Sequence, residues 1–487
     1  MPVERRTILK SAALAPLAGP FAGLVVEPAA GRRAPRAAAL VPVKDKRDGV
    51  VRLHLPRGFN YRSFHDTEVP VVLDDDTVLP GRHDGMGAFA GPDDTVVLVR
   101  NHEVNGPVPK FGPGAAYDPM AGGGTTTIQT TRQGKVLNSF TSLNGTMMNC
   151  SGGIMPWGSW VTCEETINGP DVGPDFTGAS NVPLTKPHGY VFEVPASHDQ
   201  EDGQSSRQPI TQAGRFAHEA VSFDPVHNHL YLTEDNFGFP SGFYRYRPPS
   251  TATEVGRIED GGILQMLRVR GVDNAHLEAH QTDGSVYDID WVDIAQPDPK
   301  FPYTPGETAP TSNNDAIIAV GQQGYDQGAA YFSRLEGQVY SDGVVYFTST
   351  QGGGPAEASF GPISNGFGNG SGQVWAYDTA TEELRLVFQS SGPLELDLPD
   401  NITVSPTGTL VVCEDSSGDN FLRGLSTDGQ IWDVALNRLR GMAGGDRSGD
   451  EFAGSTFSPG GHTLFVNIQA SNGMSFAIWG PWRSVGV

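Results

Sequence analysis

The sequence predicts an all-β chain built from one repeated hairpin, on three observations. Alternating apolar runs separated by turn residues recur along it, Gly (62) and Pro (37) are plentiful, and strongly periodic helical patterns are few. The clearest hairpin is RFAHEAVSFDPVHNHLYLTED (215–235). There Ala220-Val221-Ser222-Phe223 and Leu230-Tyr231-Leu232 flank a turn through Asp224-Pro225-Val226-His227-Asn228. Folding about that turn sets Glu219 opposite Glu234, with Arg215, His218 and Asp235 beside them. Like charges facing each other across a ladder are destabilising. A cation between them is the simplest reason to keep the arrangement.

The layout recurs. Cys150 to Glu165 turns near Trp157-Gly158, Glu336 to Gln351 turns at Asp342-Gly343, and Asp400 to Asp415 turns at Pro406-Thr407-Gly408. Two looser copies occupy 83–103 and 451–469. Short-strand repeats of this period are what a β-propeller shows, so the expected fold is a six-bladed β-propeller, one domain over 41–487 with loop insertions. The largest gap between copies, 235–333, holds the Pro- and acid-rich stretch 257–312, expected as a surface insertion. Short helices are expected at Gly261–Leu267 and Ile431–Leu436.

The N-terminus, MPVERRTILKSAALAPLAGPFAGLVV, has a twin arginine (Arg5-Arg6) ahead of a weak apolar stretch. It matches a twin-arginine export signal, broken by Gly and Pro and too short for a membrane span. Residues 1–40 are expected to be signal and linker. The Tat translocase is then a partner, and the mature protein is periplasmic or extracellular, without a stable membrane anchor and monomeric. A formal net charge of −23 and a pI near 4.8 argue against nucleic acid and anionic membranes as partners.

Three cysteines in a large exported chain are no disulfide framework. Cys163 and Cys413 lie in apolar second strands and read as buried thiols. Cys150 stands where Glu219, Glu336 and Asp400 stand in the other repeats. A thiolate among carboxylates is repelled unless a metal neutralises it. Carboxylates suit calcium or ferric iron and a thiolate a transition metal, so the mixture points to two kinds of metal in one site. In a propeller, equivalent positions converge on the central channel. Cys150, Glu219, Glu336 and Asp400 would meet there, with Glu165, Glu234 and Asp415 behind and Arg334, Asn101, His102 and Glu103 at the mouth. Anionic ligands with Arg or His donors suit a phosphate or carboxylate held on metal ions. No nucleophile elbow, P-loop or dinucleotide fingerprint is present. The competing readings are a calcium-dependent lactonase or esterase propeller, with Cys150 inert, and a non-catalytic binding propeller.

The twin-arginine start, GMGAF (85–89), RNHE (100–103), NCSGG and PWGSWVTCEE (149–165), GRFAHEA (214–220), LYLTED (230–235), RLEG (334–337) and TFSPGGHTLFVNIQ (456–469) together resemble the PhoX-type alkaline phosphatases. The resemblance runs in motif order from about residue 50 to the end. It implies an exported six-bladed propeller that hydrolyses small-molecule phosphate esters with Fe(III) and Ca2+, a metal-bridging oxide or hydroxide being the nucleophile. By position it implies Cys150, Glu219 and Glu336 as iron ligands and Glu165, Glu234 and Asp415 beside calcium, with Asp400 and Glu103 as further metal residues. Arg334 and Asn101 would grip the phosphoryl oxygens, and His218 would stand with them as a catalytic residue. Three positions depart from the family pattern: Leu335 where it has Pro, Ala217 where it has Lys, and Val104 where Tyr often follows. The second removes a phosphate-side cation, which bears on substrate affinity.

Overall fold

The computed structural model describes residues 38–258, 260–358 and 360–487; the twin-arginine segment lies outside them. The fold is all-β. Its two α-helices among the described residues, Asn313–Ile317 and Gly321–Tyr325, have five residues each. No helix among the described residues is long and apolar enough to cross a membrane.

Every sheet is antiparallel and built around a meander. His83–Ala90, Val96–His102, Gly123–Thr130 and Val136–Thr146 form one four-stranded sheet; Asn149–Met155, Ser159–Glu164 and Val191–Pro195 form a three-stranded one. A nine-stranded sheet fuses two meanders. His218–Asp224 through Ile263–Val269 leads into Val286–Asp293, whose first half pairs with Glu383–Gln389 of the meander begun by Leu335–Ser341. Chain ends are sealed by pairing early strands with late ones: Asn60–Phe64 extends the Glu451–Trp479 sheet, and Val51–Pro56 joins the sheet begun by Pro399–Val404. Such closure leaves few free edges.

The leading strands of these meanders pack side by side in a closed cyclic order: His83–Ala90, Asn149–Met155, His218–Asp224, Leu335–Ser341, Pro399–Val404, Glu451–Phe457, and back to the first. Apolar faces fill the wedges between sheets. Phe64, Met86, Leu98, Ile128 and Phe465 occupy one wedge, and Tyr231, Phe243, Phe347 and Tyr377 another, all buried. Each such side chain contributes roughly 1.5–3 kcal/mol of hydrophobic burial.

Two expectations change. The segments expected as short helices are strands, Ile263–Val269 and Ile431–Asn437. A short apolar run is ambiguous in period, and here sheet partners decide it: Leu264 and Met266 turn inward while Ile263 is exposed. The 257–312 stretch is likewise no pure surface insertion, since it supplies Ile263–Val269 and Val286–Asp293 to the nine-stranded sheet.

Candidate metal centre

Each leading strand carries a register irregularity at the same place. Two residues face one across the ladder at Asp84-Gly85, Cys150-Ser151, Glu219-Ala220, Glu336-Gly337, Asp400-Asn401 and Gly454-Ser455. A bulge bends its strand and re-aims a side chain. Repeated around a closed ring, it gathers one side chain from each of five repeats, the sixth having Gly454 at that position. In five of the six repeats the second bulge residue is small, Asn401 being the exception, and at Gly85 and Gly337 the next strand touches it. A Cβ on Gly85 would lie 2.5 Å from Ser151 Cα, and one on Gly337 2.6 Å from Asn401 Cα.

Side chains opposite the bulges stitch neighbouring repeats together. Asn101 Nδ2 donates to the Cys150 carbonyl at 3.0 Å, Thr233 Oγ1 to the Glu336 carbonyl at 2.6 Å, and Thr348 Oγ1 to the Asp400 carbonyl at 2.8 Å. Each bond uses a backbone oxygen that the bulge removes from the ladder.

The gathered side chains are acidic and crowded. One ligand atom each of Cys150, Glu165 and Glu219 lie within 4.8 Å of one another, and so do those of Glu219, Glu336 and Asp400. Glu219 belongs to both groups, and both its carboxylate oxygens are buried without a hydrogen-bond partner. At an effective dielectric of about 20, two carboxylates about 5 Å apart repel by roughly 3 kcal/mol. Burial first, then mutual repulsion, pushes Glu219, Glu336, Glu165 and Asp84 well above the usual carboxylate range and Asp400 up to about 7. The Cys150 thiol is pushed up by burial and then by Asp84. Buried carboxylates with orphaned oxygens beside a thiol form a donor set that a cation completes. This fits iron and calcium chemistry, hard oxygen donors with one soft sulfur.

Other residues singled out from sequence fall in different places. Glu103 is buried at the rim and ion-paired to Arg82, and the charge of Asp415 bears on Glu103, Asp400 and Glu451. Arg334 donates from Nε to Asp235 Oδ1 at 3.0 Å, and from Nη2 to Asp235 Oδ2 at 2.7 Å and Glu336 Oε1 at 2.9 Å. Three roles need correction. Glu234 pairs with His218 in the ladder and turns into its own sheet, accepting from Gly242 N–H at 2.9 Å and the Tyr244 hydroxyl at 3.0 Å; Asp235 is the carboxylate that meets Arg334. The bulge shifts the register by one residue, and one residue changes the face. Asn101 has its amide committed to the Cys150 and Ser151 carbonyls and its oxygen to Trp160 Nε1, so it holds the neighbouring strand and has no donor left for a phosphoryl group. His218 stacks on Phe216 with centroids 3.7 Å apart and bonds the Gly214 carbonyl, and burial lowers its pKa to about 3. Its ring packs within its own sheet.

Site residues not singled out from sequence are Asp84, Glu451 and Arg82, and Asp235, placed there only beside the Glu219–Glu234 pair, takes the role given to Glu234. Asp84 accepts from Cys150 Sγ at 3.3 Å and Gln469 Nε2 at 2.6 Å. Its signal lay in the sequence, Asp84-Gly85 standing in the first repeat as Glu336-Gly337 stands in the fourth.

No curated protein sequence matches the chain. Among solved structures, Pseudomonas fluorescens PhoX in complex with vanadate, a transition state analogue, superposes with a TM-score of 0.63 at 18% identity, over 91% of this chain and 97% of that one. At that identity the likeness speaks to the fold. A gluconolactonase of Xanthomonas campestris gives 0.40 at 14% identity, covering 91% and 98%, and a virginiamycin B lyase of Staphylococcus aureus 0.38 at 12%, covering 86% and 99%. The family described as alkaline phosphatase PhoX matches over residues 39–139 and 114–472. With its motifs in order and its acidic ring in place, the chain belongs to the alkaline phosphatase PhoX family.

Proposed function

We propose that this protein is an exported, metal-dependent phosphomonoesterase: a six-bladed propeller whose channel mouth holds iron and calcium. Six aligned bulges and the closed order of leading strands support the blade count. The Arg5-Arg6 start supports twin-arginine export of the folded protein to the periplasm or beyond.

The observation that carries the reading is the buried Glu219 carboxylate, shared by two ligand groups and without a hydrogen-bond partner among the described residues. Cys150, Glu219, Glu336 and Asp84 are the residues proposed to hold iron, with Glu165, Asp400, Asp415, Glu103 and Glu451 completing the acidic shell for calcium. Bound metal would supply positive charge and Lewis acidity to a phosphoryl group. Arg334 would orient that group. Asp235 fixes its Nε and Nη2, so the guanidinium is held in one plane and pre-aligned for a phosphoryl oxygen. The Asn101, Thr233 and Thr348 bonds hold the carbonyls behind Cys150, Glu336 and Asp400, which keeps the ring rigid during turnover. The test is Cys150→Ala. Loss of p-nitrophenyl phosphate hydrolysis by at least about 100-fold, with the melting profile retained, is expected from removal of a metal ligand. Unchanged turnover would contradict the assignment.

A further inference from the structure

Arg334 has a counterpart. Two positions before the bulge residue, four repeats place a non-glycine residue in the left-handed region: Arg82 (φ 49°), Met148 (φ 46°), Arg334 (φ 42°) and Leu398 (φ 49°). A side chain there carries strain of about 1–3 kcal/mol, tolerated where the surroundings over-determine it. Two of the four are arginines, and they are used alike. Arg82 spends Nε on the Glu103 carbonyl at 2.9 Å and Nη2 on the Glu103 carboxylate, as Arg334 spends Nε and Nη2 on Asp235 and Glu336. In both, Nη1 is left without a partner among the described residues, and the side chains remain 41% and 19% exposed.

Their places in the ring differ in a useful way. Arg82 leads into the first of the cyclically ordered strands and Arg334 into the fourth, so they stand on opposite sides of the acidic cluster. Arg82 lies by Asp84 and Glu451, Arg334 by Glu336 and Glu165. The same position in the intervening His218 repeat is Ala217, which is buried and uncharged. An anion seated between Arg334 and the cluster therefore has a second anchored guanidinium across the mouth.

The geometry points to Arg82 as a second anionic subsite, which favours phosphate esters bearing another phosphate or a carboxylate. This rests on the phosphatase reading. The phosphoryl group to be cleaved needs only Arg334; a second anionic group is what Arg82 would recognise, through the same fixed-plane contact.

The test compares kcat/KM on matched pairs: glycerol 3-phosphate with 3-phosphoglycerate, and glucose 1-phosphate with glucose 1,6-bisphosphate. The wild type is expected to favour the member bearing a second anionic group in at least one pair by about 10-fold, the worth of one charged contact. Arg82→Met should bring that ratio to about 1, whatever it does to the absolute rates, whereas Arg334→Met should depress both members together. Competition by methylenediphosphonate against methylphosphonate reads the same preference in the unaltered enzyme, should the variant not fold. Hydrolysis of glycerol 3-phosphate with no preference in either assay overturns the subsite and leaves the phosphatase standing. No turnover of any ester removes both.

Discussion

Arg334 and the carboxylates around it decide what the site can do, and their identities were only partly legible in the sequence. Hairpin folding located Cys150, Glu219, Glu336 and Asp400 because the repeats share a spacing of fifteen residues from first to last. It missed by one at the far end of one hairpin, choosing Glu234 over Asp235, since that hairpin is one residue longer beyond its bulge than those of Cys150 and Asp400. His218 misled for a different reason. The resemblance set it with the phosphate-gripping residues, but its ring stacks on Phe216 inside its sheet. For Arg334→Met, loss of one preorganised cation predicts a fall in kcat/KM of about 10²–10³. Steady-state kinetics on p-nitrophenyl phosphate checks it. Asp235→Asn leaves the arginine present but less firmly held, so a smaller loss, carried mainly by KM, is expected in the same assay.

At the level of the strand, the bulge is the device that builds the site, and two side-chain classes maintain it. Small second residues such as Gly85 and Gly337 let neighbouring strands touch, and hydroxyls or amides opposite the bulge recover the carbonyls it frees. Thr348→Val removes the donor to the buried Asp400 carbonyl while keeping shape. A loss of about 1–3 kcal/mol is expected, measured by denaturant unfolding, together with reduced metal occupancy. Gly337→Ala should cost a similar amount by overpacking against Asn401. None of this was visible before the register was known. Threonine and glycine are common in any sheet, and only their alignment across repeats gives them a function. The Ile263–Val269 and Ile431–Asn437 strands make the converse point: their sheet partners settled a period that the residues of each run left open.

Over the whole molecule, the ring concentrates acidic groups that the bare protein holds at a cost. The net charge of −23 already disfavours a compact state, and the channel mouth gathers Asp84, Glu165, Glu219, Glu336 and Asp400 out of water. Carboxyl groups whose folded pKa is raised bind more protons in the native state than in the unfolded one. Stability of the metal-depleted protein must therefore fall as pH rises, across the interval from the ordinary carboxylate range to about 7 for Asp400. Metal binding replaces those protons, so the gap in melting temperature between metal-loaded and chelator-treated protein should widen from pH 5 to pH 8, as followed by calorimetry. The most direct measurement is metal content alongside turnover, in the wild type and in Glu219→Gln. The account predicts iron and calcium bound to an active wild type, with both metal and p-nitrophenyl phosphate hydrolysis lost in the variant. An active enzyme carrying neither metal, or a Glu219→Gln protein that keeps its full complement and rate, would contradict it.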